Sequence, residues 1–369
     1  MNKFYSMKNY ACSFGRAPTG SYYSVDEMLF DGNRIPKSNP LIIRILIGTF
    51  SIVLLFFLFV FIVIPVIYKN SYNLQKALVF LNMVHVPVDF EHPEKYMNGV
   101  RNFYLKTDDN VTLGVWHLLP QKLIDYSPEK YDTALSGGEP IILYLHGNSG
   151  NRGAGHRIDL YKLLQNQNYH IVAFDYRSYG DSSPIEPSEL GVVEDSKTVY
   201  KWLKKKAAGL AKIIIWGHSL GTGISSHLVD ILESEGERVT GLILESPFNN
   251  MKEEIRSYPL AKFFIYLPWF DYFFTEPMYN NGLQFESDKH LLKVSTPILI
   301  LHAEDDIVIP VALGEKLYKT LQKERPNNLT TLVKFSQSER LGHKYIYKSS
   351  LLPSKVNAFV NSSIALERF

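Results

Sequence analysis

The run I-I-I-W-G-H-S-L-G-T-G, Ile213 to Gly223, ends an apolar stretch on a serine set between two glycines. An apolar segment of strand length (Lys212 to Trp216), then G-x-S-x-G, then a helical pattern, is the strand-turn-helix setting of a nucleophile elbow. Gly217 and Gly221 fit the crowding of such a turn, where side chains would clash. A serine hydroxyl is a poor nucleophile near neutral pH, so Ser219 needs a base within hydrogen-bond reach, and that base needs an acid to orient it. At an elbow of this kind the partners follow in the order Ser, acid, His.

The acid is expected just past a sheet strand, and P-I-L-I-L-H-A-E-D-D-I-V-I-P (Pro297 to Pro310) offers Glu304, Asp305 and Asp306. Asp306 is the choice, because it opens the D-x-x-I-P turn found in many hydrolases; Asp305 and Glu245, the latter in E-S-P-F, stay as alternatives. The base is better determined. Of eleven histidines only His343 lies beyond Asp306, in R-L-G-H-K-Y on a loop after the last expected strand. His146 and His218 are assigned to tight turns and His302 to the acid's strand. Acyl transfer also requires donors for the developing oxyanion. The backbone N–H of Leu220 supplies one, and that of Asn148, in the glycine-rich H-G-N-S-G-N-R-G (His146 to Gly153), supplies the other. That loop lacks the G-K-[ST] ending of a phosphate loop.

These residues must be held by a scaffold. Val100 to Thr107 and Val111 to Leu118, joined by Asp108, Asp109 and Asn110, predict a hairpin. From residue 140 onward short apolar runs alternate with helical patterns, which predicts a parallel sheet. The strands expected are Ile141 to Leu145, His170 to Phe174, Lys212 to Trp216, Gly241 to Leu244, Ile298 to His302 and Leu332 to Phe335. Helices are expected near 156–167, 190–206, 220–235, 311–323 and 353–367. Residues 249–294 break this rhythm and hold F-F-I-Y-L-P-W-F-D-Y-F-F (Phe263 to Phe274). So long a connection reads as an aromatic-rich cap.

Between Arg44 and Lys69 lie twenty-four uncharged residues rich in Leu, Ile, Val and Phe, more than the roughly 20 a bilayer-spanning helix needs. The expected organisation is a flexible cytosolic tail (1–40), a transmembrane helix (41–68), a membrane-proximal connector (69–99) with a short helix over 73–84, and a catalytic domain (100–369). Arg34, Lys37 and Arg44 upstream, against Lys69 and Lys76 downstream, favour a cytosolic N-terminus. The sequons at Asn110, Asn328 and Asn361 all lie downstream of the span, in agreement. A net charge of +2 gives no case for a nucleic-acid partner, the single cysteine, Cys12, excludes an internal disulfide framework, and no metal-ligand spacing is seen. No cofactor is called for.

Taken together, L-Y-L-H-G-N-S-G-N-R-G, F-D-Y-R-S-Y-G-D-S, I-W-G-H-S-L-G-T-G, L-I-L-E-S-P-F, L-I-L-H-A-E-D-D-I-V-I-P and G-H-K-Y-I-Y-K-S resemble the single-span membrane α/β-hydrolases that include the lysophosphatidylserine lipase. The resemblance implies an α/β-hydrolase fold of about eight strands with helices on both faces, and places Ser219, Asp306 and His343 in the triad. It further implies hydrolysis of lysophosphatidylserine-type lysophospholipids and monoacylglycerols by a glycosylated domain in the endoplasmic-reticulum lumen. The same site would also serve a thioesterase acting on acylated protein, and a catalytically silent, membrane-tethered interaction module is the reading from outside enzymes.

Overall fold

The computed structural model describes residues 39–208, 212–325 and 329–367. The tail of residues 1–38 and the sequon at Asn328 lie outside them. The chain divides into two units, Met1–Phe59 and Val60–Phe369. In the first, Pro40–Leu58 is a helix with none of its side chains buried. Asn39 caps it by accepting from the Leu41 N–H at 3.0 Å. The helical stretch Pro40–Asn70 is long and apolar enough to cross a membrane.

The second unit is built on one eight-stranded sheet: β1 Val100–Lys106, β2 Thr112–Leu118, β3 Ile141–Leu145, β4 His170–Phe174, β5 Ile213–His218, β6 Gly241–Glu245, β7 Ile298–Ala303 and β8 Thr330–Phe335. Their order is β1-β2-β4-β3-β5-β6-β7-β8. β2 runs antiparallel to β1 and β4, and all other neighbours are parallel. Strands β3 to β7 read as continuous apolar runs because both faces are covered. Ile141, Leu143 and Leu145 enter one core cluster while Ile142 and Tyr144 enter another, the period of 2 that sends neighbouring side chains to opposite faces. Helices Gly155–Asn166, Glu189–Lys206, Leu220–Ser234, Val311–Glu324 and Leu352–Leu366 stand within a residue or so of the expected positions.

The differences have local causes. β5 continues two residues past the apolar run, because Gly217 and His218 still pair with Leu244 and Glu245. His218 is therefore a strand residue, not a turn residue. β8 starts at Thr330, which pairs with Ile298. The helix expected over 73–84 stops at Phe80, where Leu81 turns left-handed (φ 45°).

The chain runs from β3 outward to β4 and then back across to β5, so the sheet changes direction between β3 and β5. Crevices for ligands form at such switch points, beyond the carboxyl ends of the strands. Ser219 and Asn148 follow those two strands.

Candidate active site

Ser219 has φ 54° and ψ −120°, a left-handed conformation that costs an L-residue on the order of 1–3 kcal/mol. Its surroundings enforce it. The Ser219 N–H donates to the Glu245 carbonyl at 3.0 Å, extending the β5/β6 ladder through the turn. Its carbonyl accepts from the Thr222 N–H at 2.8 Å, which starts helix Leu220–Ser234. The glycine spacing has a steric origin: a Cβ on Gly217 would overlap the Gly221 carbonyl, and one on Gly221 would overlap the Leu145 carbonyl. Gly147 approaches from β3, where a Cβ would stand 3.2 Å from both the Ser219 Cβ and His218 Nδ1.

The loop after β3 is held from its carbonyl side. Tyr176 O–H donates to the His146 carbonyl at 3.1 Å, Tyr179 O–H to Asn148 at 3.2 Å, and Arg157 to Ser149 at 2.7 Å and Asn151 at 2.5 Å. Among the described residues the N–H groups of Asn148 and Leu220 have no backbone partner. Arg157 is 2% exposed, so its charge is spent on orienting this loop.

The acid strand supplies Asp306 one turn beyond β7. Its Oδ1 accepts from the Val308 and Ile309 N–H groups at 2.9 and 3.0 Å, and its Oδ2 lies 2.8 Å from His343 Nδ1. His302 Nε2 stands 3.6 Å from the same Oδ2 while facing the Ile309 carbonyl at 2.9 Å. Burial pushes the Asp306 carboxyl up, but the imidazoles of His302 and His343 outweigh it and hold the group well below the usual carboxylate range. Asp306 is thus an anion whose Oδ2 accepts a proton-bearing Nδ1, which leaves His343 Nε2 with the lone pair.

The alternatives are placed elsewhere. Asp305 Oδ1 accepts the Gly342 N–H at 3.0 Å, fixing the residue before His343. Glu304 meets Lys334 at 3.4 Å near the surface. Glu245 accepts the Trp216 indole N–H at 2.9 Å, and burial, with the Asp306 charge adding, pushes its carboxyl up to about 7.

Sequence reasoning missed two contributors. His218 Nε2 lies 2.9 Å from the main-chain carbonyl of His343, with the two rings 5.0 Å apart. Arg157 bore no signal beyond its place in a helical pattern. The fold also gathers Glu189, His227 and His290, with ligand atoms within 4.8 Å of one another, although their sequence spacing shows no metal set. Glu189 Oε2 already accepts from the Gln284 and Phe285 N–H groups at 2.7 and 2.9 Å, and its Oε1 faces His227 Nδ1 at 3.0 Å. His290 Nδ1 faces Asp230 at 2.7 Å. The cluster ties the end of the aromatic connection to helix Leu220–Ser234.

Residues 140–263 match the family profile of the α/β hydrolase fold. The esterase Pf2001 of Pyrococcus furiosus superposes with a TM-score of 0.55 at 20% identity, over 74% of this chain and 93% of that one. An α/β hydrolase from Vibrio vulnificus reaches 0.56 at 20% identity, over 80% and 91%. These likenesses show the fold. Curated relatives go further: the lysophosphatidylserine lipase ABHD12 of Danio rerio is 42% identical over 84% of this chain and 83% of its own length. Protein ABHD12B of Homo sapiens is 37% identical over 66% of this chain and 68% of its own. At that identity and coverage, the chain belongs to the ABHD12 family of α/β-hydrolases.

Proposed function

We propose that this protein is a membrane-bound serine lipase that hydrolyses the carboxylic ester of single-chain lipids, lysophosphatidylserine-type lysophospholipids and monoacylglycerols, through an acyl-enzyme. The observation that carries the reading is the 2.8 Å contact between His343 Nδ1 and Asp306 Oδ2, in a fold that also holds Ser219 in a left-handed elbow. With Nδ1 committed to Asp306, Nε2 takes the proton as Ser219 Oγ attacks the ester carbonyl. The tetrahedral oxyanion is met by the N–H groups of Leu220 and Asn148, each worth about 3 kcal/mol of transition-state stabilisation. Collapse expels the glycerol-bearing alcohol, which receives the proton from His343. Water, deprotonated by His343 in turn, releases the fatty acid and restores Ser219.

The substrate class is supported by relatives bearing the name lysophosphatidylserine lipase and by an apolar helix suited to a bilayer. An endoplasmic-reticulum site with the catalytic unit in the lumen is part of the same proposal. Its support is the exposure of the sequon residues Asn110 and Asn361.

A lipid panel run on wild type and Ser219→Ala in detergent tests the function. The expected result is fatty-acid release from lysophosphatidylserine and monoacylglycerol by wild type alone. Release by Ser219→Ala, or faster turnover of acyl-thioesters than of acyl-glycerols by wild type, overturns it. Endoglycosidase-sensitive mass on Asn110 or Asn361 tests the lumenal placement, and its absence from membrane-expressed protein rejects it.

A further inference from the structure

Residues Val60–Asn70 belong to the same unit as the catalytic domain, and they carry two unlike faces. Pro65 and Tyr68 are buried and Phe61 is half-buried, at the 4- and 3-residue spacing of one helical stripe. Ile62, Val63, Ile64, Val66 and Ile67 are all exposed. What covers the stripe is the aromatic connection: the Phe61 ring is 5.4 Å from Phe264, Tyr68 is 5.2 Å from Phe274, and Lys69 Nζ lies 3.0 Å from the centroid of the Tyr272 ring.

These contacts set a depth. Lys69 is the first charge after the apolar run that begins past Arg44, and it marks the exit from the hydrocarbon. Phe61 precedes it by eight residues, roughly 12 Å along a helix. The run exceeds the roughly 20 residues of a span by about four. Even with that whole excess protruding at this end, Phe61 stays about 6 Å below the boundary. Phe264, packed on Phe61, lies at the same level, while Tyr272 against Lys69 lies at the interface, where tyrosine is favoured.

The segment between them suits lipid on two further counts. Its outer face is apolar, with Leu260 66%, Phe263 73% and Tyr266 91% exposed. Lys262 is its sole charge between Tyr258 and Phe270, on a side chain long enough to reach the interface. Part of its backbone is also satisfied locally. The N–H groups of Ala261, Phe264, Ile265, Leu267 and Phe270 donate to carbonyls three or four residues back, at 2.8 to 3.0 Å. Each such local bond lowers the cost of placing this backbone near hydrocarbon.

We infer that Tyr258–Phe270 is a second membrane-embedded element, a re-entrant helical turn that lies in the lipid beside the exit end of the spanning helix and holds the catalytic unit against the bilayer. The occupant of the exposed aromatic face is the acyl-chain layer. The inference rests on the proposed membrane embedding of Pro40–Asn70 and not on which ester is cleaved.

The test uses the full chain with Cys12→Ser, carrying one environment-sensitive label at Phe263→Cys, Tyr266→Cys, Val53→Cys in the span, or Leu190→Cys on the exposed start of helix Glu189–Lys206. Each is reconstituted into phosphatidylcholine vesicles with and without acyl-chain nitroxide lipid. Labels at 263 and 266 are expected to be quenched several-fold more than the label at 190, near the level at 53, with blue-shifted emission. Quenching at both 263 and 266 no greater than at 190, while 53 is quenched, overturns the inference. Absence of quenching at 53 as well overturns it through its membrane premise. Turnover of a soluble short-chain ester by the same preparations reports separately on the hydrolase reading.

Discussion

His218 Nε2 lies 2.9 Å from the carbonyl oxygen of His343, so the residue preceding the elbow serine grips the main chain of the loop histidine. Burial first, and the nearby His343 imidazole next, drive the His218 pKa well below its ordinary value, so His218 is neutral, with its one proton on Nε2. The carbonyl it holds belongs to the residue that bonds Asp306 through Nδ1. His218→Ala removes one part-buried hydrogen bond and frees the loop, a cost of about 1–2 kcal/mol. The expected outcome is a kcat lower by roughly tenfold with KM nearly unchanged. His218→Gln, whose amide N–H can reach the same carbonyl, recovers much of it. Equal losses in both variants, or a loss confined to KM, count against a positioning role.

The acid assignment separates by substitution. Asp306→Asn keeps the shape but gives Nδ1 a donor to face, and the wrong imidazole tautomer costs on the order of 10⁴ in kcat in a serine triad. Asp305→Asn keeps an oxygen for the Gly342 N–H and is expected to stay within a few-fold of wild type. The reverse ranking, measured on a soluble ester, would move the acid to Asp305.

Glu245 makes the stability of the fold depend on pH. Burial raises its carboxyl from 4.5 to about 7, so the folded state holds the proton more tightly than the unfolded chain. That preference is fully present below pH 4.5, weakens between 4.5 and 7 and is lost above 7, a total change of up to about 3 kcal/mol. Glu245→Gln retains an acceptor for the Trp216 N–H and cannot ionise. It is expected to raise Tm by several degrees at pH 8, by nothing measurable at pH 4, and to leave the soluble-ester kcat within a few-fold. A kcat loss comparable to that of Asp306→Asn would make Glu245 the acid after all.

Strain at Ser219, the proposed nucleophile, predicts a trade between stability and activity. Ser219→Gly relieves a φ of 54° and is expected to stabilise the fold by about 1 kcal/mol, roughly 2 °C in Tm, while abolishing ester turnover. Ser219→Ala abolishes turnover without that gain. Equal melting temperatures for the two variants would show that the elbow stores no such strain.

Much of this protein is legible in its local patterns. The strands from β3 to β7 announce themselves as apolar runs because a doubly covered sheet leaves them no polar face. The glycines around Ser219 are legible because close approach of Gly217 and Gly221 to neighbouring carbonyls admits no Cβ. The pairing of His343 with the strand of Asp306 is legible by chain order, since it is the sole histidine beyond that strand. Local pattern could narrow the acid to a few carboxylates but not choose among them by contact. That choice depends on which oxygen faces Nδ1 across 37 residues of chain.

What tertiary structure alone decided are contacts between segments remote in sequence. His218 and His343 are 125 residues apart, and the imidazole grip on a backbone carbonyl exists only once β5 and the loop after β8 share one edge of the sheet. Glu189, His227 and His290 show no spacing signal because three separate segments carry them together. Residues 249–294 could be read as an aromatic cap, but not as a partner of Phe61 and Lys69. Sequence pattern reports how each segment meets its own backbone and solvent. Which segments then share a surface is set by packing the whole chain, and that packing brings His343 to Asp306 and the aromatic segment to Phe61 and Lys69.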